Sequence, residues 1–363
     1  MAYRHRTLGF LFFLSVITYL DRVCISVAGP RMQAELGLTP EKWGWVIGAF
    51  TIGYALFEIP GGMMADRWGA RVALTRIVLL WSLFTSVTGL VSSFALLLLV
   101  RFLFGAGEAG AYPGATSAIS RWFPAQERSR AQAVVWMASR LGGMVAPFLV
   151  VPIQQTWGWR TSFYIFGGIG VVWATAWYLW YRDRPGDKKG LSAAELQIIQ
   201  AGGGALSSAH RAVPWRKVMK QPNFWRLLVT YHTYAWGAFF YVGWLHTYLQ
   251  KGRGFTEDEM TFWSAAPFFF GAMGNILGGT LSDLLVRRRG LRFGRRIVGT
   301  TGLALGAIFL FATTLTQDRI WAAIFLCLGF FSMDAFLPVA WAMTSDMGRR
   351  SAGTIAGAMN MAG

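Results

Sequence analysis

The sequence predicts an all-α membrane protein built from two helical bundles. Three observations predict it. Apolar runs of about 20 residues recur along the 363-residue chain, long enough to cross a hydrocarbon layer of about 30 Å. Basic residues crowd the loops of one side. A short glycine-aspartate turn occurs twice, once on each side of a long polar connector.

The apolar runs place spans at about 8–30, 43–65, 73–91, 94–119, 131–154, 161–181, 226–250, 259–282, 297–316, 320–343 and from 351 onward. The first run carries a charged pair and lacks a small-residue cleavage site. It reads as a retained span rather than a cleaved leader. Cys24 and Cys327 both lie in apolar runs, where they read as packing residues and not as a disulfide framework or metal site.

A net charge of +17 would suggest nucleic acid in a soluble protein. Here its distribution decides. With the N-terminus cytoplasmic, 24 of the 34 Lys and Arg fall in the N-terminal tail and inner loops, and 6 in the outer loops. The other four, Arg22, Arg76, Arg101 and Arg140, lie in or at the edges of spans. This asymmetry follows the positive-inside rule. The charge is a topology signal and a lipid contact, so the expected partner is the bilayer and no nucleic acid. No cofactor and no metal are expected.

The polar stretch 182–225 divides the chain into a first bundle, 1–181, and a second, 226–363. Within it, "LSAAELQIIQ" opens on a Ser N-cap followed by Glu195 and predicts a short surface helix. The repeat lies across this connector. After span 2 the sequence reads "GGMMADRWGAR", and after span 8 "GGTLSDLLVRRRG". Gly62 and Asp66 match Gly279 and Asp283 at the same spacing. Glycine permits close helix approach, and an Asp at a helix end is held by Arg or backbone amides. A chance turn explains one copy well, but two copies at matched positions point to a two-fold transporter with parallel halves.

The first copy resembles the loop motif of the major facilitator superfamily, carried here by Gly62, Asp66, Arg67, Gly69 and Arg71. "GWRTSFYIFGGIG" resembles the start of that superfamily's span 6. The resemblance implies the major facilitator fold: twelve helices in two six-helix halves that rock about a central site. The sequence stops at Gly363, early in the eleventh run, so the rest of span 11 and span 12 are expected beyond it.

Charges inside the spans point to the site. Asp21 and Arg22 share span 1, while Arg101 and Glu108 lie seven residues apart on span 4. Seven residues is close to two turns, so both face one side, about 10 Å apart along the axis. Buried charges cost several kcal/mol unless they find partners or a purpose. One reading is an ion-pair network that only holds helices together. The other is an anion site coupled to protons. Arg suits a carboxylate through its planar fork, and an anion that competes for Arg leaves the acids ready to take a proton.

"TYLDR", "RFLFGAGEAGAYPGA" and "WAMTSDMG" resemble the anion:cation symporter family of the superfamily, whose members carry sugar acids and other organic anions. The resemblance implies Asp21 and Glu108 as proton sites, Arg22 as the carboxylate anchor and Arg101 as a partner of the acids. Tyr54 matches a substrate-contacting tyrosine, though a plain interhelical hydroxyl bond explains it equally well. Trp341 and Asn360 occupy positions suited to a hydroxylated or aromatic substrate.

Three departures stand out. Arg140 lies where sugar-acid members often carry Gln. It fits either a second anionic group or aromatic face on the substrate, or a pair with Asp21 or Glu108. Glu58 reads as a gate or structural pair, and His246 as a solvated outer residue. In the second half Asp334 is expected to pair with a loop Arg, and His232 to be passive. The expected function is symport of an organic anion with protons across the cytoplasmic membrane, by a monomer. The alternative is an exchanger or facilitator without proton coupling, for an aromatic carboxylate or dicarboxylate. A membrane enzyme would need a nucleophile-base pair or metal cluster. Neither is present in the sequence, and no two of the 4 histidines share ligand spacing on a helix face.

Overall fold

The computed structural model describes residues 2–201, 215–245, 248–348 and 351–363. The apolar runs become helices throughout the described residues. The first half comprises α1 (Tyr3–Leu36), α2 (Pro40–Trp68), α3 (Ala70–Thr88), α4 (Phe94–Glu108), α5 (Ala111–Trp122), α6 (Arg128–Trp157) and α7 (Trp159–Trp180). The connector forms α8 (Ala193–Ala201) and α9 (Trp215–Met219). The second half comprises α10 (Pro222–Gly243), α11 (Glu257–Arg289), α12 (Leu291–Leu315), α13 (Arg319–Gly348) and α14 (Ala352–Ala362). Nine helical segments among the described residues are long and apolar enough to cross a membrane. Several helices overrun the expected spans at both ends; α1, at 34 residues, is about 50 Å long and reaches past the hydrocarbon. His246 and the glycines at 202–204 lie outside the described residues.

Span 4, read as one run, is two helices. It breaks after Glu108, where Gly110 takes a φ of +88°. A residue with a Cβ is strained there. The signal was in the sequence: Gly110 and Pro113 flank the break, and proline fits the first turn of a new helix. The break leaves Glu108 at the end of α4, deep in the bundle.

The connector helix docks on the first half. Ser192 Oγ accepts from Glu195 N at 3.2 Å, as the N-cap reading requires. The Glu195 carboxylate then accepts from the backbone amides of Tyr3 (3.1 Å) and Arg4 (3.0 Å). It caps α1, whose own preceding residue, Ala2, has no side chain to do so.

The repeated turns join the halves at the basic face, each copy reaching across to the other half. Asp66 accepts from Gly353 N (3.0 Å), Thr354 N (2.7 Å) and Thr354 Oγ1 (2.7 Å), the first turn of α14. Asp283 accepts from Ser129 N (3.3 Å) and Arg130 N (2.8 Å), the first turn of α6. The motif glycines explain the approach. A Cβ on Gly62 would lie 2.2 Å from Gly353 O, and one on Gly279 would lie 2.6 Å from Ser129 O. Arg71 donates to Tyr178 O at 2.7 Å, and Gly69 leaves room for Asp183 beside it. Arg67 is exposed. Among the described residues, polar bonds between the halves concentrate at this face and at the centre, so the structure is closed on the basic side.

Candidate functional site

Adjacent residues on a helix point about 100° apart, and this separates Asp21 from Arg22. Arg22 faces Glu108 and the aromatic rings of α2. Its Nε donates to Glu108 Oε1 at 2.7 Å and its Nη2 lies 2.6 Å from the same oxygen. The guanidinium stands over the Tyr54 ring at 4.6 Å and the Phe50 ring at 5.2 Å. Cation-π contact of this kind is worth more in a desolvated site. The other oxygen of Glu108 is buried without a hydrogen-bond partner.

Asp21 turns into the first half instead, 2% exposed, with neither oxygen hydrogen-bonded. Its polar neighbours are Glu108, Trp81 and Arg101. Arg101 stacks over Phe104 at 4.7 Å and Phe50 at 5.0 Å, within the electrostatic reach of both acids. The structure thus brings the four charges together around α1 and α4, with one ion pair among them, Arg22 to Glu108.

Arg140 pairs with neither Asp21 nor Glu108. It makes a two-pronged pair with Asp334, Nε to Oδ2 at 2.8 Å and Nη2 to Oδ1 at 3.0 Å. This corrects two expectations at once, since Asp334 binds a span arginine of the other half and not a loop Arg. Tyr234 Oη donates to Asp334 Oδ1 at 2.6 Å and Asn275 Nδ2 to Oδ2 at 3.1 Å. All four lone-pair positions of the carboxylate are occupied, which offsets the cost of burying it.

The third group is a polar chain across the centre. Asn360 Nδ2 donates to Glu58 Oε1 (2.7 Å) and Tyr54 Oη (3.2 Å). Tyr231 Oη donates to Asn360 Oδ1 (3.1 Å), and Trp341 Nε1 to Tyr231 Oη (3.3 Å). Glu58, read as a gate or structural pair, is fully buried in this bond between the halves. Beside it Tyr112 stacks on Trp136 at 4.4 Å, and Trp136 meets Trp341 at 5.1 Å. His232 is exposed, with Nδ1 2.9 Å from Ala362 O.

With this geometry in view, comparison with known proteins decides the family. The sequence profile of the Major Facilitator Superfamily matches residues 11–363. The chain belongs to the major facilitator superfamily. It is similar to the "Probable sulfoacetate transporter SauU" of Cupriavidus necator, 36% identical over 98% of this chain and 83% of that protein. It is 31% identical to the D-galactonate transporter of Escherichia coli over 99% of this chain and 86% of that one. The hexuronate transporter of Bacillus subtilis is 29% identical over 97% and 82%. Among solved structures, the human organic anion transporter MFSD10 (TETRAN) superposes with a TM-score of 0.72 at 15% identity, over 100% of this chain and 91% of that one. A bacterial homologue of the human lysosomal transporter Spinster gives 0.61 at 22% identity, over 99% and 79%. At those identities the two structures speak for the fold alone.

Sequence reasoning about this chain missed two partners: Tyr234 beside Asp334, and Tyr231 in the central chain. Each is a polar atom in an apolar span, and that was the signal available. Asn275 and its spacing from Asp334 carry no sequence pattern that joins them.

Proposed function

We propose that the protein is a proton-coupled symporter of a small organic anion across the cytoplasmic membrane, working by alternating access. The observation that carries this reading is the Arg22–Glu108 pair, with Asp21 buried and unbonded next to it. Arg22 is the group an anionic substrate would take, because its fork matches a carboxylate. Substrate that occupies Arg22 removes the counter-charge of Glu108. A proton then neutralises Glu108, and Asp21 is the second carrier in the same buried region. Anion and proton favour each other's binding, and the linkage is reciprocal. The names of the relatives, which refer to sulfoacetate, galactonate and hexuronate transport, support an acidic organic substrate.

Alternating access rests on the two bonds at the basic face. When the site loads, the Asp66 and Asp283 caps release α14 and α6, and the halves rock about the centre. The test is uptake in proteoliposomes. Asp21→Asn and Glu108→Gln abolish accumulation driven by a proton gradient while counterflow persists. Accumulation that survives in both variants would overturn the proton sites and favour an exchanger.

A further inference from the structure

Two arginines of the first half, the half-buried Arg22 and the buried Arg140, each hold one carboxylate, and the two pairs are built differently. Arg22 grips a single oxygen of Glu108, whose other oxygen has no hydrogen-bond partner. An anion that takes this fork strips Glu108 of the donor it has. Arg140 instead meets both oxygens of Asp334. Asp334 also holds Tyr234 on Oδ1 and Asn275 on Oδ2. Those two donors stand on α10 and α11, in the same half as Asp334. If Arg140 lets go, each oxygen of Asp334 keeps one donor. The pair can open without leaving a bare buried charge.

The two guanidiniums also share a neighbour. The Tyr19 ring lies 5.7 Å from the Arg22 carbon. At this ring α1 packs on α6, where a Cβ on Gly143 would lie 3.3 Å from Tyr19 Cδ1. Gly143 is one turn, about 4.5 Å along the axis, from Arg140. Tyr19 is within electrostatic reach of Arg140. Tyr19 is thus a neighbour shared by both forks.

We propose that Arg140 is a second anion-binding group, and that the substrate is a small dianion with one acidic group on Arg22 and the other on Arg140 in place of Asp334. This rests on the anion-symport reading above. Glu108 takes up a proton when displaced, whereas Asp334 keeps Tyr234 and Asn275 as donors. A dianion therefore also breaks one bond between the halves, which a monoanion leaves intact.

The test is isothermal titration of the full chain in nanodiscs with matched ligand pairs. Sulfoacetate is set against methylsulfonylacetate, and succinate against monomethyl succinate; each pair keeps the frame and removes one charge. Wild type should favour a dianion by about 10-fold or more, the worth of a charge-assisted fork. Arg140→Gln should abolish that preference and leave monoanion affinity within about twofold. Asp334→Asn should strengthen dianion binding several-fold, because the competitor for Arg140 is weakened. A preference that survives Arg140→Gln overturns the second site. So does a dianion affinity unchanged in Asp334→Asn, which decides the matter should Arg140→Gln fail to fold. Dianion binding that needs Arg22 and ignores Arg140 sinks this inference alone. Wild type that binds no organic anion, D-galactonate included, sinks the anion-symport reading with it.

Discussion

The two copies of the repeated turn do the same work with different chemistry. In the first, Asp66 holds α14 through backbone amides and the Thr354 hydroxyl, with Ser117 Oγ at 3.2 Å. No arginine side chain reaches its carboxylate among the described bonds; Arg121 turns to Asp183 at 3.1 Å. In the second, Asp283 holds α6 and also pairs with Arg295 at 2.8 Å. Arg295 continues to Asp346 at 3.1 Å, which binds Arg128 at 3.0 Å. Arg295 also donates to Ser129 Oγ of the first half and to Ala125 O at 2.8 Å. One latch is a helix cap, worth about 1 kcal/mol. The other is a cap reinforced by a buried charge network that crosses between the halves. A two-fold repeat thus yields an asymmetric lock, whose weaker side is the one expected to part first.

Five substitutions break or sharpen that contrast. The largest effect should come from Arg295→Met, which strands two acids in a buried network and costs on the order of 3 kcal/mol. Arg121→Met, in a half-exposed pair, should cost under about 1 kcal/mol. Thermal unfolding in detergent measures both, and equal losses would erase the asymmetry. Next come the glycines. Gly62→Ala drives a Cβ into backbone at 2.2 Å, and Gly279→Ala into backbone at 2.6 Å. Each should disfavour the closed state by about 1–3 kcal/mol, Gly62→Ala the more. Spin labels on the two halves at the basic face would report the widening. Asp66→Asn follows, at about 1–2 kcal/mol, because a neutral amide keeps one acceptor and loses the charge at the helix end.

The smallest effect concerns Asp183, on the loop beyond α7. Burial raises its carboxyl above the ordinary range, and Arg121 and the backbone amides of Arg71 and Ala70 offset only part of that. Between the unfolded and folded values the folded state holds the extra proton. Stability from this group therefore falls as pH rises through that window. The melting temperature of wild type relative to Asp183→Asn should decline as pH climbs out of the acid range. A difference that grows with pH would mean that the Arg121 pair dominates.

The spans, the repeat and the charged residues were all legible in the sequence, because apolar length and buried charge are local signals. Partners were not. Asp21 and Arg22 are neighbours in sequence, and helix geometry sends them to different surroundings. Arg140 and Asp334 are 194 residues apart, and no spacing rule links them. The expectation for Glu58 was nearer, since its place on span 2 suggested a gate and its bond to Asn360 crosses between the halves. The break after Glu108 was written in Gly110 and Pro113, yet an unbroken apolar run masked it.

The stacked rings at the centre carry an electrical consequence. Tyr112, Trp136, Tyr231 and Trp341 are each at most 6% exposed and in ring contact from both halves. Rings packed this closely leave little room for water, so the layer is one of low dielectric. A membrane voltage falls mainly where water is absent. The field therefore concentrates across these few rings, and a charge carried past them feels it at about 2.3 kcal/mol per 100 mV. The aromatic stack is the dielectric of a small capacitor, with Arg22 and Glu108 close to one plate.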